Sequence, residues 1–422
     1  MRRLSMLVTN LHHLAAPCIA KIRKQDDAIC QKDDLYYLNP SAIIRYEPNG
    51  AVITPPMLYS SFLFVDEDIV NLLKGRIFSG KGIPHHVLSS LLENEVILKE
   101  PTPTQVYREM HVDVSGLPTQ VLFEITSFCN CDCITCYHKA DLDHYIPPLE
   151  DLINRISKLK ELGIGLFEVT GGEPFSRNDL HQILNFIKQQ GLHFYVVTNG
   201  EFLINSSNEL IDILKEGLGL AVSLDGVGEI HNRVRRRDGL YVKMMAGLDY
   251  LHFKGIKIYF ISTLNKENLA SVEEMVDVAK KFNTIVHFRP TIKTGAAVLN
   301  NLEPVDLARE LGGLLKHPNV RNGLLSTKKT VPYSRYYGCG LRKRISVDSR
   351  GVLYPCVMDR TRFLGNIKDY SPKLLVSDLE DETKKLLIQN EDCRRCDKNS
   401  KEIICGGFCR FSNRYKKMII RE

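Results

Sequence analysis

Several things are scarce in this sequence, and most of the scarcities narrow what the chain can be. No apolar run among its 422 residues approaches the ~18–20 that a membrane helix requires. The net charge of +6 is small for this length. It permits a local anionic ligand but lacks the basic field of a nucleic-acid binder. Internal repeats and low-complexity tracts are missing, which removes solenoids and long disordered linkers. Tryptophan is absent too, and that excludes nothing. The N-terminus, MRRLSMLVTNLHHLAAPCIA, starts basic and mildly apolar. Asn10, His12 and His13 interrupt it and KIRK follows, so it reads as an extension and not as a signal peptide. The twelve cysteines are sparse outside tight clusters. Clustering without an export signal predicts metal binding in a reducing, cytoplasmic compartment, not disulfides.

What is present has an ordinary globular balance, 44% hydrophobic and 25% charged, at a length that predicts two or three domains. Residues 1–115 hold only Cys18 and Cys30, residues 116–315 only the cluster CNCDCITC at 129–136, and the other six cysteines follow residue 330. The middle region alternates buried-strand runs with amphipathic helices. VLFEIT (121–126), GLFEVT (165–170), FYVVTN (194–199), LAVSLD (220–225), KIYFIST (257–263) and TIVHFR (284–289) read as strands. LEDLINRISKLKEL and SVEEMVDVAKKF between them read as helices, the first stopped by Gly163. Six strand–helix units predict an α/β fold, a partial (β/α)6 TIM-type barrel over 116–315. ITSFCNCDC, GGEP, NG and SLDG all fall at strand C-termini, the rim where such barrels build active sites.

The N-terminal part reads differently. AIIRY, AVIT and SFLFV predict short strands, the first two joined by the turn EPNG, and DEDIVNLLKG and HHVLSSLLENE predict two short helices. The expected partition is an extension over 1–34, a small α+β, winged-helix-like domain over 35–105, the barrel, and a cysteine-rich domain over 330–422.

Cys129, Cys133 and Cys136 have the spacing C-x3-C-x2-C. Three thiolates from one loop can bind three irons of a cubane and leave the fourth open for a ligand. With Cys131 the loop could also supply the four ligands of a zinc knuckle, although alternate spacing strains one tetrahedral shell.

The loop resembles the cluster motif of the radical S-adenosylmethionine (SAM) enzymes. GGEP at 171–174 resembles the GGE motif of that superfamily. SLDG at 223–226 with HNRVRRRDGLY at 231–241 resembles a signature of its peptide-modifying branch, with Asn232 where that branch has Asp. The match covers roughly 116–300. The resemblance implies that Cys129, Cys133 and Cys136 hold a [4Fe–4S] cluster with an open iron for SAM. It puts Gly171, Gly172 and Glu173 at the methionine amino end of SAM. It puts Asn199, Ser223 and Asp225 by the ribose, and Arg235 at the carboxylate. Thr135 stands where the family has an aromatic residue near the adenine, and Tyr137 lies just after the last cysteine. The implied chemistry is reductive cleavage of SAM to a 5′-deoxyadenosyl radical that takes hydrogen from a substrate. The rest of RVRRR (233–237) reads as a solvated charged face.

The C-terminal cysteines, Cys339, Cys356, Cys393, Cys396, Cys405 and Cys409, fit C-x11-G-x4-C followed by C-x2-C-x8-C-x3-C. They resemble the SPASM extension that carries auxiliary iron–sulfur clusters, although six thiols cannot fully ligate two cubanes. A zinc ribbon is the plainer reading of the same spacings. Cys18 and Cys30 read as plain thiols. The resemblance implies a ribosomal-peptide maturase such as the thioether-forming sactipeptide synthases. It also implies a precursor peptide as substrate and a flavodoxin or ferredoxin as electron donor, while the small net charge and short apolar runs predict neither nucleic acid nor membrane as partner. Strands followed by two helices at 35–105 resemble a leader-peptide recognition domain, which binds its peptide as an added strand. A peptide epimerase would be a related alternative. A sulfatase-maturing enzyme is the runner-up; it would need a base just after YPC, and Asp359 stands two positions late. Outside enzymes, a metal-binding scaffold would explain the cysteines but not GGEP and SLDG at strand ends.

Overall fold

Short apolar runs flanked by glycine and acidic residues become the strands of one large sheet, and the amphipathic segments between them become its covering helices. The structure, a computed structural model, describes residues 6–8, 29–58, 62–104, 106–138, 144–322, 336–337, 343–388 and 404–405. The N-terminal elements are β1 (Met6–Val8), β2 (Leu35–Leu38), β3 (Ile43–Glu47), β4 (Gly50–Thr54), β5 (Leu63–Val65), α1 (Glu67–Lys74), β6 (Ile77–Ser79), α2 (His85–Glu93), β7 (Ile97–Leu98) and β8 (Arg108–His111). The central units are β9 (Gln120–Glu124), α3 (Leu149–Glu161), β10 (Leu166–Thr170), α4 (Leu180–Gln189), β11 (His193–Thr198), α5 (Asn208–Lys215), β12 (Leu220–Ser223), α6 (Glu229–Arg235), α7 (Leu240–Phe253), β13 (Ile258–Leu264), α8 (Val272–Lys281) and β14 (Val286–Pro290). There follow α9 (Ala296–Leu299), α10 (Leu307–Leu311), β15 (Val320–Asn322), β16 (Tyr336–Tyr337), β17 (Arg344–Val347), β18 (Val352–Tyr354), β19 (Gly365–Asn366), α11 (Pro372–Ile388) and β20 (Ile404–Cys405).

The central sheet has the order β15-β14-β13-β12-β11-β10-β9-β17-β18-β19. Strands β15 to β17 run parallel, and β18 and β19 are antiparallel additions. Alternate side chains divide the work. Phe123, Phe167, Phe194, Leu220, Phe260 and Phe288 pack with Leu152 and Ile156 of α3, Ile183 of α4, Leu214 of α5, Leu248 of α7 and Met275 of α8. Each such side chain contributes about 1.5–3 kcal/mol on burial. Leu166, Tyr195, Ala221 and Ile261 point to the other face, where Val52 and Phe62 of the N-terminal domain cover them. With the helices on one face only, the right-handed units roll the sheet around a concave inner face. Polar residues cross that interior near its lower end. Tyr195 Oη donates to Glu168, Gln120 Nε2 donates to Tyr195 Oη at 3.1 Å, and Arg344 pairs with Glu168.

Two features depart from the sequence partition. The sequence suggests six strands, but β15 and β17 extend the parallel run to eight, and β17 comes from the cysteine-rich C-terminal part. Pairing satisfies the backbone groups along β9 that an open edge would leave bare. The N-terminal unit also runs past residue 105, because β8 pairs with β3. Its strands form two sheets, β1-β5-β4-β3-β8 and β6-β2-β7, over a core shared with α1 and α2. Asp66 starts α1 by accepting a hydrogen bond from the Ile69 N–H, and Glu67 and Asp68 suit its first turn. Arg45 fixes this unit to the sheet. It is 3% exposed and donates to the carbonyl oxygens of Leu117 (2.9 Å) and Gly163 (2.7 Å) and to that of Pro118. Among the described residues, no helix is long and apolar enough to cross a membrane.

Candidate functional site

The four loop cysteines lie in one patch with Leu240, at the C-terminal end of β9. Cys131 and Cys133 are buried, Cys129 and Cys136 half-buried. The loop has little secondary structure of its own, and neighbouring strands and helices hold its main chain. The Gly172 N–H donates to Thr126 O (2.8 Å), and the Glu173 N–H to Phe128 O (2.7 Å), lacing GGEP to the residues before Cys129. Glycine is required there. A Cβ on Gly172 would lie 2.7 Å from Cys129 N and nearer still to the Phe128 carbonyl; one on Gly171, at φ +148°, would crowd Thr126. From the other side the Ile134 N–H donates to Val234 O (3.0 Å), at the end of α6. The Ala296 N–H donates to Cys136 O (2.8 Å), at the start of α9.

Glu173 is fully buried between β10 and β11. It accepts from Thr198 Oγ1 (2.7 Å), the Asn199 N–H (2.7 Å) and the Phe175 N–H (3.0 Å). Burial pushes its pKa up to about 7 against the pull of those donors. Asp225 is also buried. It accepts from the Thr263 N–H (2.7 Å) and pairs with Arg235 at 2.7 Å, while Arg235 Nη1 lies 3.4 Å from Cys133 Sγ. The thiol of Cys131 bonds to Cys129 and Cys133, which raises its own pKa; the same bond, helped by Arg235, lowers that of Cys133. His231 accepts from the Asp225 N–H at 3.1 Å, and its buried Nε2 has no partner among the described residues. Burial, with Arg235 nearby, holds that imidazole down to about 3, in its neutral form.

The expected site residues therefore divide. Cys129, Thr135, Cys133, Cys136, Gly171, Gly172, Glu173, Asn199, Ser223, Asp225 and Arg235 meet at one rim of the sheet. Asn199 is oriented by Asn130 and the Glu201 N–H, and Ser223 is half-buried at the end of β12. Asp359 is 3% exposed and committed to Thr361 (2.7 Å) and Arg362. Cys356 is half-buried after β18, and Cys405 lies in β20. Cys18, Cys339, Cys393, Cys396 and Cys409 fall outside the described residues.

Three features escaped the sequence reading. The RVRRR run keeps the solvated face expected of it, with Arg233, Arg236 and Arg237 60%, 46% and 41% exposed, but it also carries ion pairs that the sequence did not show: Arg236 reaches Asp132 (3.0 Å), and Arg237 and Lys243 hold Glu201. Glu124, wholly buried at the end of β9, pairs with Arg360 and with His138 Nε2 at 3.0 Å. Arg360 also stacks on Tyr137 and Tyr354, so it joins the cysteine loop to the Cys356 segment. A carboxylate in an otherwise apolar strand was the available signal. Finally, Gly295, at φ +53°, lets the chain after β14 approach Tyr137.

Among the described residues, no three His, Cys, Asp or Glu side chains converge on a single ion position. A cubane takes each thiolate on a different iron, so it needs a wider set than one tetrahedral ion. The thiol patch, the glycine cradle and the unpartnered buried His231 Nε2 fit such a cluster with a polar ligand beside it.

Comparison with known proteins agrees with this geometry. Residues 123–279 match the Radical SAM superfamily. The chain is 29% identical over 165 residues to Fe-coproporphyrin III synthase of Methanosarcina barkeri, covering 38% of this chain and 41% of that protein. It is 24% identical over 262 residues to AlbA, the antilisterial bacteriocin subtilosin biosynthesis protein of Bacillus subtilis, covering 60% of this chain and 58% of that one. The chain thus spans about half the length of the curated relatives it matches. In structure it resembles Streptococcus suis SuiB, solved with S-adenosylmethionine and with its precursor peptide SuiA. The TM-score is 0.61 at 14% identity, and the SAM-bound structure covers 88% of this chain and 95% of SuiB. At that identity the likeness speaks for the fold alone.

Proposed function

The chain belongs to the radical SAM superfamily, and from that premise we propose that it is a maturase of a ribosomally made peptide, forming a thioether crosslink. The observation that carries the reading is the lacing of GGEP to the cysteine loop, which sets Glu173 beside a patch of thiols. Cys129, Cys133 and Cys136 would hold a [4Fe–4S] cluster. Gly171, Gly172, Glu173, Asn199, Ser223, Asp225, Arg235 and Thr135 would surround SAM. When bound, the cluster and SAM supply a 5′-deoxyadenosyl radical able to take hydrogen from an unreactive C–H bond.

The chain's own residues prepare that chemistry. Glu173 gives up its proton to pair with an ammonium, which draws its raised pKa back down. Arg235 favours the thiolate at Cys133 Sγ, the form that binds iron. Val52 and Phe62 seal the lower end of the sheet against water. Thioether formation replaces a C–H and an S–H bond by one C–S bond, a two-electron oxidation of the peptide. One equivalent leaves as a hydrogen atom. The other leaves as a thiol proton and an electron, for which the C-terminal cysteines, carrying one or two auxiliary clusters, would provide an iron–sulfur acceptor.

The peptide class rests on the similarity to AlbA and on the N-terminal unit. In the β6-β2-β7 sheet, β6 is an edge strand. Ile77 and Leu35 are 54% and 53% exposed on one face beside it. An edge with apolar neighbours suits an added leader strand. The similarity to Fe-coproporphyrin III synthase covers 38% of the chain and bears on the barrel. Asp359, the base a formylglycine-forming enzyme would need, is engaged by Thr361 and Arg362. An electron donor of the flavodoxin or ferredoxin class completes the reading.

The test is anaerobic reconstitution followed by iron, sulfide and 5′-deoxyadenosine analysis under dithionite. About four irons or more per chain with SAM cleavage is the expected result. Zinc alone with no 5′-deoxyadenosine would leave a metal-binding scaffold. Incubation with a cysteine-rich peptide encoded beside the gene should then give a product two hydrogens lighter. An unchanged peptide mass would remove the maturase reading while leaving the SAM chemistry in place.

A further inference from the structure

The rim cations sort themselves by partner. Arg235 has Asp225, Arg237 and Lys243 have Glu201, and Arg360 has Glu124. Arg289 is different. It is the fourth residue of β14, so it lies at the same strand end as the cysteine loop. Val286 and Phe288 point outward into the helix-covered core, which leaves His287 and Arg289 on the concave face. Arg289 is half-buried, its Nε is wholly buried, and among the described residues the guanidinium has no hydrogen-bond or ion-pair partner.

Register places it relative to the chemistry. Arg289 pairs with Thr263 of β13, whose N–H donates to Asp225 Oδ1 at 2.7 Å, and Asp225 leads through Arg235 to Cys133. Two strand spacings, about 10 Å, separate Arg289 from Asp225 across the sheet. A guanidinium held partly out of water and without an anion is costly, and a ligand anion that reaches it recovers that cost. Its planar fork suits a carboxylate.

We propose that Arg289 is a substrate-anchoring residue that binds a carboxylate of the peptide, from an acidic side chain or a free C-terminus, in the mouth of the barrel. This rests on the peptide reading above. It adds that the segment entering the barrel carries an acid close to the position that is modified. Arg289 then sets which residue faces the site, while the exposed edge of the N-terminal unit sets only which peptide is held.

The test measures binding without turnover, so its failure is distinct from a failure of the maturase reading, which shows in product mass. Saturation-transfer NMR on the full-length, reconstituted protein would compare Ac-Ala-Glu-Ala-NH2, Ac-Ala-Gln-Ala-NH2 and Ac-Ala-Ala-Ala-OH. Wild type should bind at least one carboxylate probe roughly tenfold more tightly than the Gln probe. Which of the two is preferred identifies a side chain or a terminus as the source. Arg289→Gln should bring the preference to about one, and Arg289→Lys should keep part of it. The ratio is internal to each protein, so partial unfolding does not imitate the effect. Equal binding of all three probes by wild type overturns the proposal, as does a preference that survives in Arg289→Gln. SAM affinity is measured on the same samples. If it falls while the probe preference stays, the guanidinium serves the cofactor and the proposal is wrong.

Discussion

Gly172→Ala tests whether the glycine-rich turn sets the position of the cysteine loop. A Cβ there would sit 2.7 Å from Cys129 N, where ordinary contact starts at 3.4 Å, and nearer still to the Phe128 carbonyl. Both neighbours are main chain, so no rotamer change relieves the overlap. Residues 128–129 must retreat by about 0.7 Å or more, and the hydrogen bonds from Gly172 and Glu173 stretch with them. Overpacking of this kind costs about 3 kcal/mol. In a domain of this size that is a fall in Tm of roughly 6–12 °C. Gly191→Ala is the control: φ is +75° but no atom lies within 4 Å of the added Cβ, so only about 1 kcal/mol of backbone strain applies. Thermal melts and iron content after reconstitution are the assays. We expect Gly172→Ala to melt well below the control and to retain roughly half the iron or less. A Gly172→Ala protein that melts with the control and carries full iron would refute the argument that this turn positions Cys129.

Three further outcomes are expected. Cys131→Ala should keep iron and SAM cleavage, whereas Ala at Cys129, Cys133 or Cys136 should remove both; iron analysis of the four variants decides, and loss in Cys131→Ala would shift the ligand register. For Glu173, whose pKa in the fold is about 7 against 4.5 for a free glutamate carboxyl, the folded state holds the extra proton between those values, so its contribution to stability is lost as pH rises through that window. His193 and His231, both held near 3, act in the opposite sense below about 6.5, so the quantity to measure is the Tm of Glu173→Gln minus that of wild type. It should grow from pH 5 to pH 8, and a flat difference would contradict the burial argument. Ile77→Lys should weaken binding of the neighbouring-gene peptide, read by fluorescence anisotropy, with Tm nearly unchanged because the side chain is 54% exposed; equal affinity would remove the leader-binding role from the β6 edge.

The sequence showed the core of this molecule well, for a physical reason. Runs such as VLFEIT and GLFEVT are apolar and β-branched because both faces of their strands are covered, so a local window suffices to find them. The cysteine spacing and the glycines of GGEP were legible because few residue types can do their work. Long-range pairing was not. Glu124 and Arg360 are 236 residues apart, and nothing local to either announces the other. The placement of β17 against β9 is of the same kind: RISV is four residues long and gains its identity from an edge that needs covering. In the arginine run, charge predicted solvent exposure, which Arg233, Arg236 and Arg237 have, but it could not announce the carboxylates that Arg236 and Arg237 find in the cysteine loop and in the chain after β11. The docking of the N-terminal unit was hidden too. Removing residues 1–105 would uncover Leu166, Tyr195, Ala221 and Ile261 and strand the carbonyls that Arg45 serves, so point changes at its exposed edge are the cleaner probe.

The way the cysteine loop is held bears on why it can carry a reactive centre. Its supports come from four separate places in the chain: GGEP, the end of α6, the start of α9, and the Glu124–Arg360 pair through His138. The first three grip main-chain atoms at Thr126, Phe128, Ile134 and Cys136, so they fix where the loop runs without using its thiols. Arg235 contacts the Cys133 thiol from outside the loop, and it is itself tied to Asp225. A loop positioned by its backbone can exchange what its side chains bind without rebuilding the scaffold, which is what preorganisation of a metal site requires. The arrangement also accounts for how an extra cysteine is tolerated. The Cys131 thiol occupies space between Cys129 and Cys133 but bears none of those four supports, so its loss should leave the loop in place while the loss of Gly172 should not.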